Sequence, residues 1–212
     1  ALSIFYYLDQ SKWTEADLAN HAIEIERFII KDKGGFQDQV HAAYCGFRIY
    51  KFQGRDFEVS KDFSTSNLIK SICSKQYLLR LNPRNSSDAH KEKASFDLAS
   101  YVEEQNNISK KAEDLILNYS DYSSFDKFCN LADESSKLKL ALDKKSDLFQ
   151  EEIDILRQHK AHCIKMTGAG GGGHLAFVMS NEDIGHVIDI FGQDRVFQVS
   201  FTGAHAAQNI KI

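Results

Sequence analysis

Apolar and polar residues alternate along this chain with two periods, and the switches between them predict most of its elements. Leu18, Ala22, Ile25 and Ile29 recur at helical spacing, and Ala19, Ile23 and Ile30 form a neighbouring arc. Thr14 and Asp17 stand just ahead with the spacing of a capping box. This helix is expected to end near Lys33-Gly34-Gly35, since glycine favours helix ends and turns. A second helix is expected from about Gln37 through His41-Ala42-Ala43. Residues 47–52 (FRIYKF) alternate as a strand does, with Gly54 as a turn, and residues 77–81 (YLLRL) read as another strand. The segment 82–87 (NPRNSS) holds the only proline and a polar cluster, which predicts a boundary between two domains, 1–82 and 83–212.

Beyond that boundary the helical period dominates. Leu98, Tyr101, Val102, Ile108, Ala112, Leu115 and Ile116 fit one long amphipathic helix. Phe125, Phe128, Ala132, Leu138 and Leu142 fit a second. Phe149, Ile153 and Leu156 fit a third, with Asp147 and Gln150 spaced as a capping box. Residues 163–166 precede a run of glycines, and 174–179 (HLAFVM) alternate as a strand. Ile184, Val187, Ile188 and Phe191 fit a helix capped by Asn181 and stopped by Gly192, and Phe197, Val199 and Phe201 alternate as a last strand. Helices and strands mix without regular βαβ alternation, which predicts an α+β fold.

Composition narrows the function classes. The 212 residues suffice for one large or two small domains, and 42% hydrophobic with 26% charged residues matches an ordinary globular protein. A net charge of −4 and no dense Lys/Arg stripe argue against a nucleic-acid partner. No apolar run approaches the roughly 18 residues of a membrane helix, and no signal peptide is visible. Cys45, Cys73, Cys129 and Cys163 form no CxxC pair and read as free thiols of a reducing, cytoplasmic compartment. The chain opens at Ala1 on an apolar stretch (ALSIFYYL) that resembles the middle of a buried helix, so further residues are expected upstream.

The glycine run reads Lys165-Met166-Thr167-Gly168-Ala169-Gly170-Gly171-Gly172-Gly173-His174. Gly168, Gly170 and Gly173 satisfy GxGxxG, but a dinucleotide fingerprint needs a helix after the run, and residues 174–179 alternate as a strand instead. A phosphate-binding loop of the Walker type fails as well, because His174-Leu175 stand where Lys and Ser/Thr are required. Linkers are usually mixed with serine and flanked by polar residues; this run is flanked by apolar segments. Concentrated glycine costs backbone entropy, which favours a loop where backbone approaches another group closely.

The second cluster is Gly34-Gly35-Phe36-Gln37-Asp38-Gln39. Two glycines allow a tight turn, and Asp38 falls in the first turn of the expected helix, where free N–H groups favour a carboxylate. Taken alone, Asp38 is better explained as a plain helix cap. Glu26 falls between the two apolar arcs of the preceding helix, so its carboxylate is expected to be partly buried and to need a partner. A metal–nucleotide complex and an Arg or Lys from upstream both meet that need.

Together the two clusters resemble the GHMP kinase superfamily, which includes galactokinases, mevalonate kinases and heptose-phosphate kinases. Residues 165–173 (KMTGAGGGG) are similar to its third motif, and 35–39 (GFQDQ) to its Gly-x-x-Asp-Gln segment. Residues 24–39 and 42–47 (AAYCGF), with weaker similarity at 84–89 (RNSSDA), look most like the D-glycero-D-manno-heptose phosphate kinases. Lys33 stands where that group has proline, and Phe36 where it has lysine. The resemblance covers nearly the whole chain. It implies an N-terminal domain like ribosomal protein S5 domain 2 and a ferredoxin-like C-terminal domain. It implies ATP as phosphoryl donor with Mg²⁺, Asp38 as base, Glu26 as metal ligand, and Gly168, Ala169, Gly170, Gly171, Gly172 and Gly173 around the phosphates. Gly35, Gln37 and Arg84 would face the sugar, with Arg80 and Arg84 as candidates to clamp a substrate phosphate. The family's first motif and its Gly/Ser-rich phosphate loop would lie upstream of Ala1, so the chain alone is expected to lack part of the ATP site.

The implied activity is ATP-dependent phosphorylation of a hydroxyl, anomeric by preference, on a sugar or sugar phosphate such as D-glycero-D-manno-heptose 7-phosphate. The competing class is a non-catalytic relative that binds a metabolite or partner. The oligomeric state stays open, a homodimer included. His159 and His162 have the spacing of a metal pair but lack a third ligand, and His174 is a lesser candidate for substrate contact.

Overall fold

In a computed structural model that describes residues 13–32, 34–81, 98–118, 123–142, 149–167 and 173–200, the first helix begins at the predicted capping box. Thr14 Oγ1 accepts from the Asp17 N–H at 3.2 Å, and the Thr14 N–H donates to Asp17 Oδ2 at 3.0 Å. Helix α1 spans Glu15–Ile23 and continues as a π-helical segment over Glu24–Ile29. The wider turn shows in its hydrogen bonds: the Ile30 N–H reaches the Ile25 carbonyl at 2.8 Å and the Asp32 N–H reaches the Glu26 carbonyl at 2.9 Å. The expected apolar arcs hold only as far as the α-helical period does. Leu18, Ala19, Ala22 and Ile23 are buried, whereas Ile29 and Ile30, expected on the same faces, are 68% and 65% exposed.

Two compact units part at Thr65 and Ser66. In the first, α1 packs on α2, Gln37–Tyr44, around buried Ala19, Ile23 and Val40, with Phe36, Tyr44, Tyr50 and Phe57 at the edge of that core. Strands β1, Tyr50–Gln53, and β2, Asp56–Val59, form an antiparallel hairpin turned at Gly54, whose φ is +64°. The strand expected over 47–52 starts late because residues 47 and 49 bond elsewhere. The Phe47 N–H donates to Asp62 Oδ1 and Ser64 Oγ, both at 3.0 Å, and the Ile49 N–H to Ser60 Oγ at 2.9 Å. Gly46 turns the chain there at φ +70°, and a Cβ on it would meet the Asp62 carboxylate at 2.5 Å.

The second unit opens with α3, Asn67–Cys73, and β3, Gln76–Arg80. Residues 66–81, which the sequence groups with the N-terminal domain, are therefore built into this unit. The reason is pairing: β3 lies between β5, His174–Val178, and β6, Val196–Gln198, antiparallel to both. Strand β4, Cys163–Met166, completes the sheet in the order β4-β5-β3-β6. The predicted boundary segment 82–87 lies outside the described residues.

Helices α4, Leu98–Asn118, and α5, Ser123–Leu142, pack on each other, and α5 lies against β4. Helix α6, Gln150–Gln158, and α7, Ile184–Phe191, supply side chains to the core of the unit. Alternate residues of β3 and β5 point into that core: Tyr77, Leu79, Leu175 and Phe177 meet Leu156 and Val187 there. Tyr77 and Phe177 stack with ring centroids 5.6 Å apart. Ile108 of α4 is buried, but Val102, expected on the same face, is 47% exposed.

Two predicted caps differ. Helix α7 is preceded by Asp183 rather than capped by Asn181, whose Oδ1 instead accepts from the Tyr77 hydroxyl at 2.7 Å. Helix α6 starts after Phe149 in the left-handed region, φ +62°, without a side-chain cap; Asp147 lies outside the described residues. All four cysteines are free thiols, and only Cys45 is not buried. A hydrogen bond with Cys163 and burial push the Cys129 thiol up, so it packs as an apolar group. No helix among the described residues is long and apolar enough to cross a membrane.

Candidate active site

The acidic cluster of the first unit is assembled by two consecutive residues of the π-helical segment. Glu26 is half-buried, as its place between the arcs predicts. Its partner is Gln39, whose Nε2 donates to Glu26 Oε2 at 2.5 Å. Arg27 comes next, with only 10% of its side chain exposed. Its Nε and Nη2 both donate to the Gly35 carbonyl, at 3.1 and 2.8 Å. Its Nη1 donates to the carbonyl and to Oδ2 of Asp32, at 3.3 and 3.1 Å. The planar guanidinium fork thus spans the turn that leads into α2.

Asp38 is exposed in the first turn of α2, one residue before Gln39. Phe36 occupies the cap position and makes no side-chain capping bond. Gln37 and Gly35 are exposed beside Asp38. Gln39 is 3% exposed, and its Oε1 is the buried side-chain polar atom without a hydrogen-bond partner among the described residues. Such an atom costs about 1–3 kcal/mol of desolvation, a burden common at functional sites. Gln39, Arg27 and Gly34 are the residues that the sequence motif contains but to which periodicity assigns no role.

The cluster offers a divalent metal one half-buried carboxylate, Glu26. No group of three His, Cys, Asp or Glu side chains gathers among the described residues. Mg²⁺ needs no such cage, because it takes one or two carboxylates together with phosphate oxygens and water. Glu26 engages Gln39 and, at 3.9 Å, Arg27 through the same oxygen, Oε2.

The flanks of the glycine run belong to the second unit. Gly168, Ala169, Gly170, Gly171 and Gly172 lie outside the described residues, as does Arg84. The run connects β4 to β5, an antiparallel pair in which Met166 faces Leu175. Thr167 closes its base: its N–H and hydroxyl both donate to the His174 carbonyl, at 3.0 and 2.9 Å. Gly173 takes φ +98°, a conformation that L side chains rarely adopt. With a strand and not a helix after Gly173, the dinucleotide-binding arrangement is absent.

Other candidates are engaged elsewhere. Arg80 pairs with Asp194 at 3.0 Å on the surface of the second unit. His162 faces Asp126 at 3.6 Å and the Phe125 ring, while His159 lies against His186 with centroids 5.7 Å apart, so the two do not converge on a metal. A cavity of about 400 Å³ in the second unit is walled by Leu140, Ile153, Ile164 and Met166. Of its charged lining residues, Asp133, Lys137, Asp154 and Arg157, the first and last pair with each other, and Asp133 Oδ1 also accepts from the Ile164 N–H at 2.8 Å.

No protein-family model and no curated protein matches the chain. Solved structures do. A D-glycero-D-manno-heptose 1-phosphate kinase from Bacteroides thetaiotaomicron is 18% identical over 91% of this chain and 54% of its own, with a TM-score of 0.60. A putative sugar kinase from Campylobacter jejuni is 19% identical over 93% of this chain and 58% of its own, with a TM-score of 0.66. The mevalonate kinase of Methanococcus jannaschii is 20% identical over 92% and 58%, with a TM-score of 0.57. The chain therefore shares its mixed α+β fold with these three kinases, and it spans between 54% and 58% of their length.

Proposed function

We propose that this chain carries the acceptor-side acidic site and the glycine loop of an ATP-dependent kinase acting on a sugar or sugar phosphate, with D-glycero-D-manno-heptose 7-phosphate as the first acceptor to try. The observation that carries this reading is the site in the first unit. An exposed Asp38 in the first turn of α2 lies next to a Gln39–Glu26 pair, in a chain whose fold is that of sugar and mevalonate kinases. In this reading the first unit is part of a domain like ribosomal protein S5 domain 2, the second is the ferredoxin-like domain, and the protein works in the cytoplasm.

Phosphoryl transfer asks a protein mainly for positioning and charge stabilisation. Asp38 takes the proton of the acceptor hydroxyl as its oxygen bonds to phosphorus, and the same carboxylate orients that hydroxyl beforehand. Glu26, steadied by Gln39, would hold Mg²⁺, and residues 168–173 would offer backbone N–H groups to the phosphates. ATP would supply the γ-phosphoryl group, its bond to the departing ADP breaking as the acceptor oxygen bonds to phosphorus, and Mg²⁺ would offset the phosphate charge. Gly35, Gln37 and Arg84 would line the acceptor.

The test is Mg²⁺-dependent ATP consumption by the full-length protein against a panel of sugars and sugar phosphates. Turnover with one acceptor class, lost in Asp38→Asn while acceptor binding persists, is the expected result. No turnover and no nucleotide binding would transfer the assignment to a metabolite-binding relative of these kinases.

A further inference from the structure

Glycine at position 34 is not explained by its backbone. The glycines with positive φ among the described residues are Gly46, Gly54, Gly173 and Gly192, so Gly34 stands in a conformation open to any residue. It is explained by a side chain. A Cβ on Gly34 would lie 3.0, 3.1 and 3.2 Å from Nη2, Nη1 and Cζ of Arg27, flat against the guanidinium. A Cβ on the neighbouring Gly35 would meet nothing within 4 Å. The Arg27 fork has little freedom to yield, because its Nε, Nη1 and Nη2 are all bonded to Asp32 or Gly35.

The same two residues of the π-helical segment hold the chain on both sides of Asp38. Arg27 grips the Gly35 carbonyl ahead of it, and Glu26 grips the Gln39 side chain behind it. Helix α2 starts without a side-chain cap at Phe36, so its entry needs another anchor. An exposed Arg–Asp pair alone is worth little. A bidentate bond to a backbone carbonyl from a nearly buried guanidinium fixes a direction as well.

We infer that Arg27 is a positioning residue for Asp38: it clamps Asp32 and Gly35 to the π-helical segment, and Gly34 is glycine to admit it. The inference rests on the kinase reading for its consequence but not for its geometry. Lysine cannot replace the fork, since a single ammonium does not span Gly35 and Asp32 together. A displacement of a reacting group by about 1 Å costs up to about 10²-fold in rate.

The experiment uses the full-length protein with Arg27→Lys, Arg27→Ala, Gly34→Ala and the Arg27→Ala/Gly34→Ala pair. Arg27→Lys and Arg27→Ala are expected to lose roughly 10- to 100-fold in kcat with acceptor KM within about threefold. Guanidinium ion, but not methylammonium, is expected to restore part of the Arg27→Ala loss. Gly34→Ala is expected to slow the wild-type background and to do nothing further in Arg27→Ala, a non-additivity diagnostic of direct contact. Wild-type kcat in Arg27→Lys, or a loss that guanidinium leaves untouched, would overturn the role. Amide exchange over residues 32–40 is read alongside, and it must quicken in both single-site Arg27 variants. Should the wild type phosphorylate nothing, the kinase reading falls by itself; unchanged exchange overturns the clamp in any case.

Discussion

The two units of this chain hold their geometry by different means. The second is organised by apolar burial: Leu79, Leu156, Leu175, Phe177, Met179 and Val187 are all within 1% of complete burial, in one cluster fed by β3, β5, α6 and α7. Among the described residues of the first, Ala19, Ile23 and Val40 are buried in one smaller cluster, and the candidate site is fixed by directed polar bonds of Glu26 and Arg27. Apolar packing is strong and non-directional. Polar bonds add little net stability but define angles. A fold frame and an acid–base group make these two separate demands, and here they fall to separate parts of the chain.

Substitutions can break that contrast or sharpen it. Asp38→Asn has the largest expected effect on rate, a loss of about 10²–10⁴-fold in kcat. The same variant should leave urea unfolding within about 0.5 kcal/mol of wild type, because Asp38 is exposed. Phe177→Ala should do the reverse, costing about 3–5 kcal/mol in denaturant unfolding. Equal stability losses from the two would erase the distinction. Gln39→Leu removes an unpartnered buried acceptor together with the bond to Glu26, so its stability should stay within about 1 kcal/mol of wild type. Its activity should fall at limiting Mg²⁺ and recover in part when the metal is raised. Thr14→Ala should cost about 1 kcal/mol through the lost capping box, read by thermal or urea unfolding.

The smallest effect concerns acid. Burial pushes the Asp62 carboxyl up, but hydrogen bonds from the Ser64 hydroxyl and from the Ser64 and Phe47 N–H groups outweigh it and hold the group below its ordinary value of 3.8. A carboxylate with a depressed folded pKa contributes stability above the unfolded pKa and loses it as pH falls through the folded one. The wild type should therefore lose stability from pH 3.8 downward more steeply than Asp62→Asn, as seen in urea midpoints across that range.

Legibility in the sequence divides along the same line. The strand after the glycine run is legible because HLAFV alternates, and that one feature excludes the dinucleotide fold. Helices α4, α5, α6 and α7 keep to the helical period closely enough to be found from it. The failures are non-local. Strand β3 is visible as YLLRL, but nothing in the residues says that its partners are β5 and β6, the pairing that packs residues 66–81 with the second unit. Ile29 and Ile30 fall inward on a wheel because a wheel assumes one period, and the π-helical turn changes it. The wheel places Glu26 correctly as half-buried, yet its bond to Gln39 depends on how α2 returns across α1. Arg27 leaves a single trace in the sequence, a pair of adjacent glycines neither of which takes a positive φ.

That trace has an evolutionary side. Because the space above Gly34 is filled by the Arg27 guanidinium, positions 27 and 34 are expected to change together among relatives, with glycine at 34 wherever the arginine is kept. Gly35, with open space around its missing Cβ, is under no such constraint from packing and drifts or holds according to what its carbonyl and the acceptor require.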